Sequence, residues 1–448
     1  MSATLPVGPY RVLKTLEGAS FPYYIVPYDA DGNCEGPKTR EHLLANAAQY
    51  SDVFLFSHGW NNDWSAATQR YESFIDGMRK LRQTNRLTMP TGFKPLLVGI
   101  FWPSQALEWF ESETGPQIAA GNPAAEDART GALRATIADI AAQLPQAQRA
   151  RFYELAQSQR LKDAEAREFA AMLAALVSAD DEGARADAPD AQDLLVAASS
   201  MSDEEEDYDA VGTVGAGTAA AGAPQAAIGV GDVLGVLDPR NILKPFTVWK
   251  MKDRAGKVGA FGVSKLLTEL LQRSEARVHL LGHSYGCKVV MTAACYPDAL
   301  SRNVESALLL QPAVSQYVFS RNVPKRNVPG GFARALTRFN QPILSTFSSR
   351  DVPLTTVFHR AVRRKDDLGE LQFAGDQSPS PYGALGGFGP QATEARIVDI
   401  QAPVKRYDLA GAERVIGLRS SAVIKGHGDI NHPETWWALY CLVTAHAP

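Results

Sequence analysis

Val278-His279-Leu280-Leu281-Gly282-His283-Ser284-Tyr285-Gly286 joins an apolar run to a Gly-x-Ser-x-Gly turn. A chain that folds straight from a strand into a helix crowds its own backbone, and Gly282 and Gly286 remove two Cβ atoms that would clash there. The stretch reads as a nucleophile elbow, with Ser284 held in a strained conformation at the rim of a sheet. Both flanks agree. Val278, Leu280 and Leu281 suit a short strand, and Cys287, Val289, Val290, Met291, Ala293 and Ala294 suit a buried helix with no breaker before Pro297. The bland alternative is a glycine-rich turn that happens to contain serine.

Upstream, Tyr23 to Val26, Val53 to Phe56 and Leu96 to Phe101 are short apolar runs, the last two almost unbroken, as expected of strands buried on both faces of a parallel sheet. Helical sequence at Arg40 to Ala48 and Ala66 to Leu81 alternates with them, the βαβ rhythm of an α/β fold. Downstream, Lys257 to Leu271 reads as the helix leading into the elbow strand. Ala307 to Leu310, Ile343 to Phe347 and Ser421 to Ile424 read as the following strands.

After Trp102-Pro103-Ser104 strand signals almost vanish. Leu133, Ile137, Ile140 and Leu144 form one helical stripe that Pro145 stops, and Phe169, Met172, Leu173 and Leu176 form a second. Such stripes normally face a core. The acidic run Asp203 to Asp209 and the Gly/Ala-rich run from Val211 to Gly235 carry too few large side chains to offset the entropy of ordering. The expected organisation is a core of residues 1–104 and 240–448 interrupted by an insertion at 105–239. That insertion reads as a helical cap over roughly 128–178 and a flexible, acidic and Gly/Ala-rich segment over roughly 179–235.

The 448 residues are 45% hydrophobic, enough for a sizeable core, and carry a net charge of −4 with a pI near 6.1. No global basic field exists to hold nucleic acid. Cys34, Cys287, Cys295 and Cys441 are too scattered for a disulfide framework or a Cys-x-x-Cys metal site. No apolar stretch is long enough for a membrane span and the first residues lack a secretory pattern, so the expectation is cytoplasmic with no integral membrane segment.

A serine hydroxyl at neutral pH needs a base, the base needs an orienting carboxylate, and the oxyanion that forms needs backbone donors. In chain order these should run Ser, Asp or Glu, His, each at the carboxyl end of a strand. Asp351 follows the second strand after the elbow strand, although an aspartate before Pro353 also suits a turn or cap. Asp298, Asp366 and Asp367 are the fallbacks. His427 lies beyond the last apolar run between Gly426 and Gly428, which free the loop to swing its imidazole toward Ser284. His432, before Pro433 at a helix entry, is the second choice.

His58-Gly59 follows an early strand, where one oxyanion donor is expected, so the donors are read as the backbone amides of Trp60 and Tyr285. His58 is expected to brace that loop. His427, Asp429 and His432 could be drawn as metal ligands, but a serine-dependent reaction needs none, and neither metal nor cofactor is expected.

With these residues in place the chain resembles the α/β-hydrolase superfamily, in particular a bacterial lipase/esterase-like branch. The matching blocks are Ser57 to Asn62, Phe101 to Ser104, Gly282 to Gly286 and Gly426 to Asp429, within residues 20–104 and 240–445. The resemblance implies a mostly parallel sheet flanked by helices and an acyl-serine intermediate formed through Ser284, Asp351 and His427. The insertion is unmatched.

The leading expectation is a serine hydrolase acting on a small-molecule or acyl ester. Trp60, Trp64, Trp102 and Trp109 would favour an apolar substrate if they line its pocket, and packing is their plainer role. A lipase or phospholipase toxin acting on membrane lipid is the nearest alternative enzyme. A catalytically silent fold whose acidic insertion contacts a partner is the alternative of another class.

Overall fold

Alternate residues of the apolar runs part to opposite faces of one sheet. Val53, Leu55, Leu96, Val98, Val278 and Leu280 join one buried cluster, while Phe54, Phe56, Leu97 and Leu281 join another. Period-two side chains therefore explain why these runs are apolar throughout: both faces are covered. The computed structural model describes residues 7–14, 16, 20–105, 123–179, 188–199, 201, 238–362 and 381–445.

In chain order the first elements are β1 (Arg11–Lys14), β2 (Ser20–Pro27), α1 (Pro37–Asn46), β3 (Asp52–Ser57), α2 (Trp64–Asn85) and β4 (Pro95–Phe101). Helices α3 (Pro123–Gln143), α4 (Gln146–Ala156), α5 (Asp163–Ala174) and α6 (residues 191–199) follow. Next come α7 (Pro239–Lys257), a π-helical turn at Val258–Val263, α8 (Ser264–Arg273), β5 (Arg277–His283) and α9 (Tyr285–Cys295). The chain closes with β6 (Ser306–Leu310), β7 (Ile343–Phe347), the short α10 (Phe358–Ala361) and α11 (Leu385–Phe388), β8 (Ala395–Asp399), β9 (Val415–Arg419) and α12 (Pro433–Val443). The nine strands make one sheet in the order β1-β2-β4-β3-β5-β6-β7-β9-β8. Only β1 runs antiparallel to its neighbour. The protein is thus an α/β chain with a mostly parallel sheet flanked by helices.

Buried residues of α2 and α12 cover one face, while those of α1, α7, α8 and α9 cover the other. The insertion helices extend this second layer, because Ile137, Ile140, Leu144, Phe152, Phe169 and Leu173 belong to the same cluster as Tyr285 of α9. Two cations of α7, the buried Arg254 and the half-buried Lys250, pin them to that helix. Arg254 donates to the Pro103 carbonyl at 2.7 Å and faces Asp139 at 3.6 Å, and Lys250 donates to the Leu176 carbonyl at 3.0 Å. Among the described residues no helix is long and apolar enough to cross a membrane.

Several sequence expectations require correction. Ser421 to Ile424 is a turn, since the Val423 and Ile424 amides both donate back to the Ser420 carbonyl at 2.9 and 2.8 Å. The strand there is β9, whose Gly417 and Arg419 interrupt the apolar signal. A Cβ on Gly417 would sit 2.6 Å from Ile397 Cδ1, so the side chains of β8 fill the space. Edge strands β1 and β8 leave no strand signal in the sequence because they are largely exposed or half-buried and lack an apolar run. Within the segment read as flexible, α6 is helical and buries Leu194, Leu195, Ala197 and Ala198. The helix before the elbow strand begins at Pro239, capped by the Asp238 carboxylate, and not at Lys257. The acidic run 203–209, the run 211–235, Trp109, Asp366 and Asp367 lie outside the described residues.

Candidate active site

Ser284 stands between the last residue of β5 and the first of α9 with φ +55° and ψ −126°, a conformation that costs an L-residue about 1–3 kcal/mol. Both flanking glycines are required by close approach. A Cβ on Gly282 would lie 2.6 Å from Cys287 Cα, and one on Gly286 would lie 2.1 Å from the Ser57 carbonyl oxygen. The strain aims the Ser284 hydroxyl at the loop after β9. There His427 Nε2 lies 2.7 Å from Ser284 Oγ. On the far side of the ring, Nδ1 lies 2.9 Å from Oδ2 of Asp351, which follows β7.

The carboxylate is fully buried. It also accepts from Gln311 Nε2 at 2.8 Å and from the Leu354 amide at 3.2 Å. With an acceptor at Nδ1, the imidazole carries its proton there and turns the Nε2 lone pair toward the serine. The fallback residues do not reach this centre. Asp298 is fully exposed beside Arg334, and His432 Nε2 is bonded to Asp429 Oδ1 at 2.7 Å.

The loop carrying His427 is fastened at several points. His283 donates from Nε2 to the His427 carbonyl at 2.8 Å, Ser348 Oγ donates to the Ile424 carbonyl at 2.8 Å, and the Lys425 amide donates to Asp429 Oδ2 at 2.9 Å. His283 sat inside the Gly-x-Ser-x-Gly stretch, yet only the alternation of β5, which turns His283 to the same face as Leu281, could have hinted at this contact.

Gly59 packs directly on the serine: a Cβ there would lie 2.5 Å from Ser284 Cβ and 2.8 Å from the His283 carbonyl oxygen. The Trp60 amide follows at once, and Tyr285, as first residue of α9, directs its N–H out of the helix N-terminus. The two aromatic rings stand 6.2 Å apart. The loop is riveted from behind by the Trp-Pro-Ser segment. The Trp102 amide donates to His58 Nε2 at 3.2 Å and its indole Nε1 to the His58 carbonyl at 3.1 Å, with the two rings stacked at 6°. Ser104 Oγ accepts from the Asn62 amide at 3.1 Å, and Asn62 Nδ2 donates to the carbonyls of Gly59 and Trp60 at 3.1 and 2.8 Å. The motifs at 57–62 and 101–104 are therefore one structural unit. Trp102 is wholly buried within it, and Trp64 packs edge-on against Phe101 and Tyr10, so neither forms an open apolar wall.

His58 Nδ1 lies 2.9 Å from the Gly59 carbonyl, so Nδ1 donates while Nε2 accepts, and the ring is neutral. Burial pushes its pKa down to about 4, and burial with the nearby Arg70 guanidinium holds His283 well below the usual range. A proton that binds the unfolded imidazole first favours unfolding. The stability His58 contributes is therefore complete above the unfolded pKa of 6.5 and is lost as pH falls toward about 4, a change of about 3 kcal/mol. Urea unfolding between pH 7.5 and 4.5 should show a shallower acid-side fall for His58→Gln than for the native chain. Equal slopes would contradict the neutral brace.

A second Ser-His-Asp constellation occupies the opposite end of the sheet. His279 Nδ1 lies 2.8 Å from Ser306 Oγ, and its Nε2 lies 3.0 Å from Asp52 Oδ1, which also pairs with Arg277 at 2.7 Å. All three residues are buried at the amino ends of β3, β5 and β6, so this cluster ties strands together with no room for a substrate. A cavity of about 480 Å³ lies near that end, lined by Phe21, Phe54, Glu72, Met78 and Pro95 and not by Ser284. Among the described residues no group of three or more His, Cys, Asp or Glu side chains could hold a metal ion. The four cysteines are free thiols, and burial raises the pKa of each.

Compared with protein-family models, with curated proteins and with solved structures, the chain finds no match in any of the three.

Proposed function

We propose that this chain is a serine hydrolase of the α/β-hydrolase type that cleaves a carboxylic ester through an acyl-serine intermediate. The observation that carries the proposal is the continuous relay from Ser284 Oγ through His427 to Asp351, 2.7 Å and 2.9 Å, on a serine held at φ +55°. A strained, non-glycine residue at the tip of a central strand persists only where the surroundings enforce it, and such strain concentrates at functional sites.

In the proposed reaction Ser284 Oγ attacks the ester carbonyl while His427 Nε2 takes its proton. Asp351 stays ionised and steadies the imidazolium through Nδ1–H. The amides of Trp60 and Tyr285 donate to the oxyanion as it forms. Collapse breaks the carbon–oxygen bond to the alcohol, which leaves with the proton from Nε2. Water, deprotonated by the same nitrogen, then attacks the acyl-serine, and the proton returns to Ser284 as the acid departs. The lipase/esterase-like combination of motifs supports an ester as the bond attacked.

Hydrolysis of p-nitrophenyl esters of graded acyl length is the test. The native chain should turn over at least one of them, and Ser284→Ala should lose about 10⁵- to 10⁶-fold in kcat with an unchanged circular dichroism spectrum. A variant that keeps the native rate would overturn the proposal.

A further inference from the structure

Gln311 follows β6 and, among the described residues, is the one buried side chain outside the relay that touches its carboxylate through a side-chain bond. We propose that Gln311 is a positioning residue for the proposed hydrolytic reaction: its amide fixes the Asp351 carboxylate in the orientation from which Oδ2 receives His427 Nδ1–H. The inference rests on the serine-hydrolase reading and adds to it a residue outside the Ser-His-Asp set.

The geometry leaves this amide a single orientation. Nε2 lies 2.8 Å from Asp351 Oδ2 and 3.1 Å from the Gly386 carbonyl oxygen, both acceptors, so the NH₂ must face them. Oε1 then accepts from Thr346 Oγ1 at 3.0 Å, and the Gln311 amide N–H donates to the same hydroxyl oxygen at 2.8 Å. Gln311, Thr346 and Asp351 are all fully buried, so none of these bonds exchanges with solvent at the surface. The backbone shows the same commitment. Gln311 sits at φ +45°, a region where long side chains are seldom found, and Gly386 must lack a side chain because a Cβ there would lie 2.6 Å from the Gln311 carbonyl carbon. A strained residue in a fully satisfied buried network fits a positioning role better than plain packing, which an apolar side chain could fill.

The two donors on Oδ2 divide its charge. Without Gln311 the carboxylate keeps the Leu354 amide on Oδ1 but is held less firmly, and Oδ2, left with His427 alone, puts more of its charge on the imidazolium. Gln311→Leu should therefore lower the plateau rate of Ser284 modification by about 10- to 100-fold and move the acid limb of its pH profile upward. Gln311→Glu, close to isosteric, sets against Asp351 a buried carboxyl that burial and like-charge repulsion keep protonated; its O–H replaces part of the lost donor, so its acid limb should lie between those of the native chain and Gln311→Leu. Substrate KM should stay near native, since Gln311 touches the relay and not the ester.

The test is the rate of labelling by a fluorophosphonate across pH 5–9 for the native chain and both variants, with thermal midpoints measured alongside. A native chain that does not label at any pH defeats the serine-hydrolase reading itself. A native chain that labels, with both variants keeping the native midpoint of the acid limb, overturns the Gln311 inference alone, whatever happens to thermal stability.

Discussion

His427→Ala is expected to lower kcat by about 10⁵- to 10⁶-fold while the protein stays folded, because a serine alcohol without its base is a poor nucleophile at neutral pH. The reason lies in how the ring is held. Nδ1 is committed to Asp351 and the backbone carbonyl is pinned by His283, so Nε2 has one place to point, 2.7 Å from Ser284 Oγ. Among the described residues near the serine no second histidine stands ready to substitute: His432 is engaged with Asp429, His283 with the His427 carbonyl, and His58 with the Gly59 carbonyl and the Trp102 amide. His432→Ala should accordingly cost far less than His427→Ala. Steady-state hydrolysis of the best p-nitrophenyl ester measures both. Comparable losses in the two variants would mean that the base has been misassigned.

Gly286→Ala is expected to destroy both stability and activity with a single methyl group. The added Cβ would stand 2.1 Å from the Ser57 carbonyl oxygen, 2.4 Å from that of His58 and 2.7 Å from the Ser57 carbonyl carbon. These are backbone atoms of β3 and of the loop after it, so relief requires moving α9 away from the sheet. Overpacking of this kind typically costs 1–3 kcal/mol, and with rigid backbone on the other side we expect about 3 kcal/mol or more. The same shift separates Gly59 from Ser284, so activity should disappear with stability. Gly131→Ala is the matching control: it lies inside α3, nothing approaches its Cβ within 4 Å, and relief of glycine's helix penalty should stabilise by about 0.5–1 kcal/mol. Urea unfolding distinguishes the two. Similar midpoints for Gly286→Ala and the native chain would show that the elbow is looser than described.

The centre of this fold was legible because burial on both faces writes itself as continuous apolar sequence. Val53 to Phe56, Leu96 to Phe101 and Val278 to Leu281 are β3, β4 and β5, the strands that carry the His58-Gly59 loop, the Trp-Pro-Ser brace and Ser284. The periphery was less legible for the opposite physical reason. At β1 and β8 one long edge meets solvent, and at β9 Gly417 is dictated by the neighbouring Ile397 and Pro390 side chains, a tertiary cause with no local signature. Chain order and strand-end position sufficed to bring Ser284, Asp351 and His427 forward as candidates. Gln311 and His283 have no local signature because their contacts span 40 and 144 positions of sequence, between strand ends and loops that only the folded sheet brings together. Helix α6 is hidden in the sequence for another reason: its buried Leu-Leu-Val-Ala-Ala run is brief and stands amid polar, alanine-rich sequence.

The central claim, an activated serine at position 284, is tested most directly by treating the full chain with a fluorophosphonate and mapping the adduct by peptide mass spectrometry. The account predicts one modified residue, Ser284, at near-stoichiometric yield, lost in His427→Ala, with the buried Ser306 of the second constellation unmodified. An unlabelled Ser284 in the folded native chain, or equal labelling when His427 is absent, would contradict it.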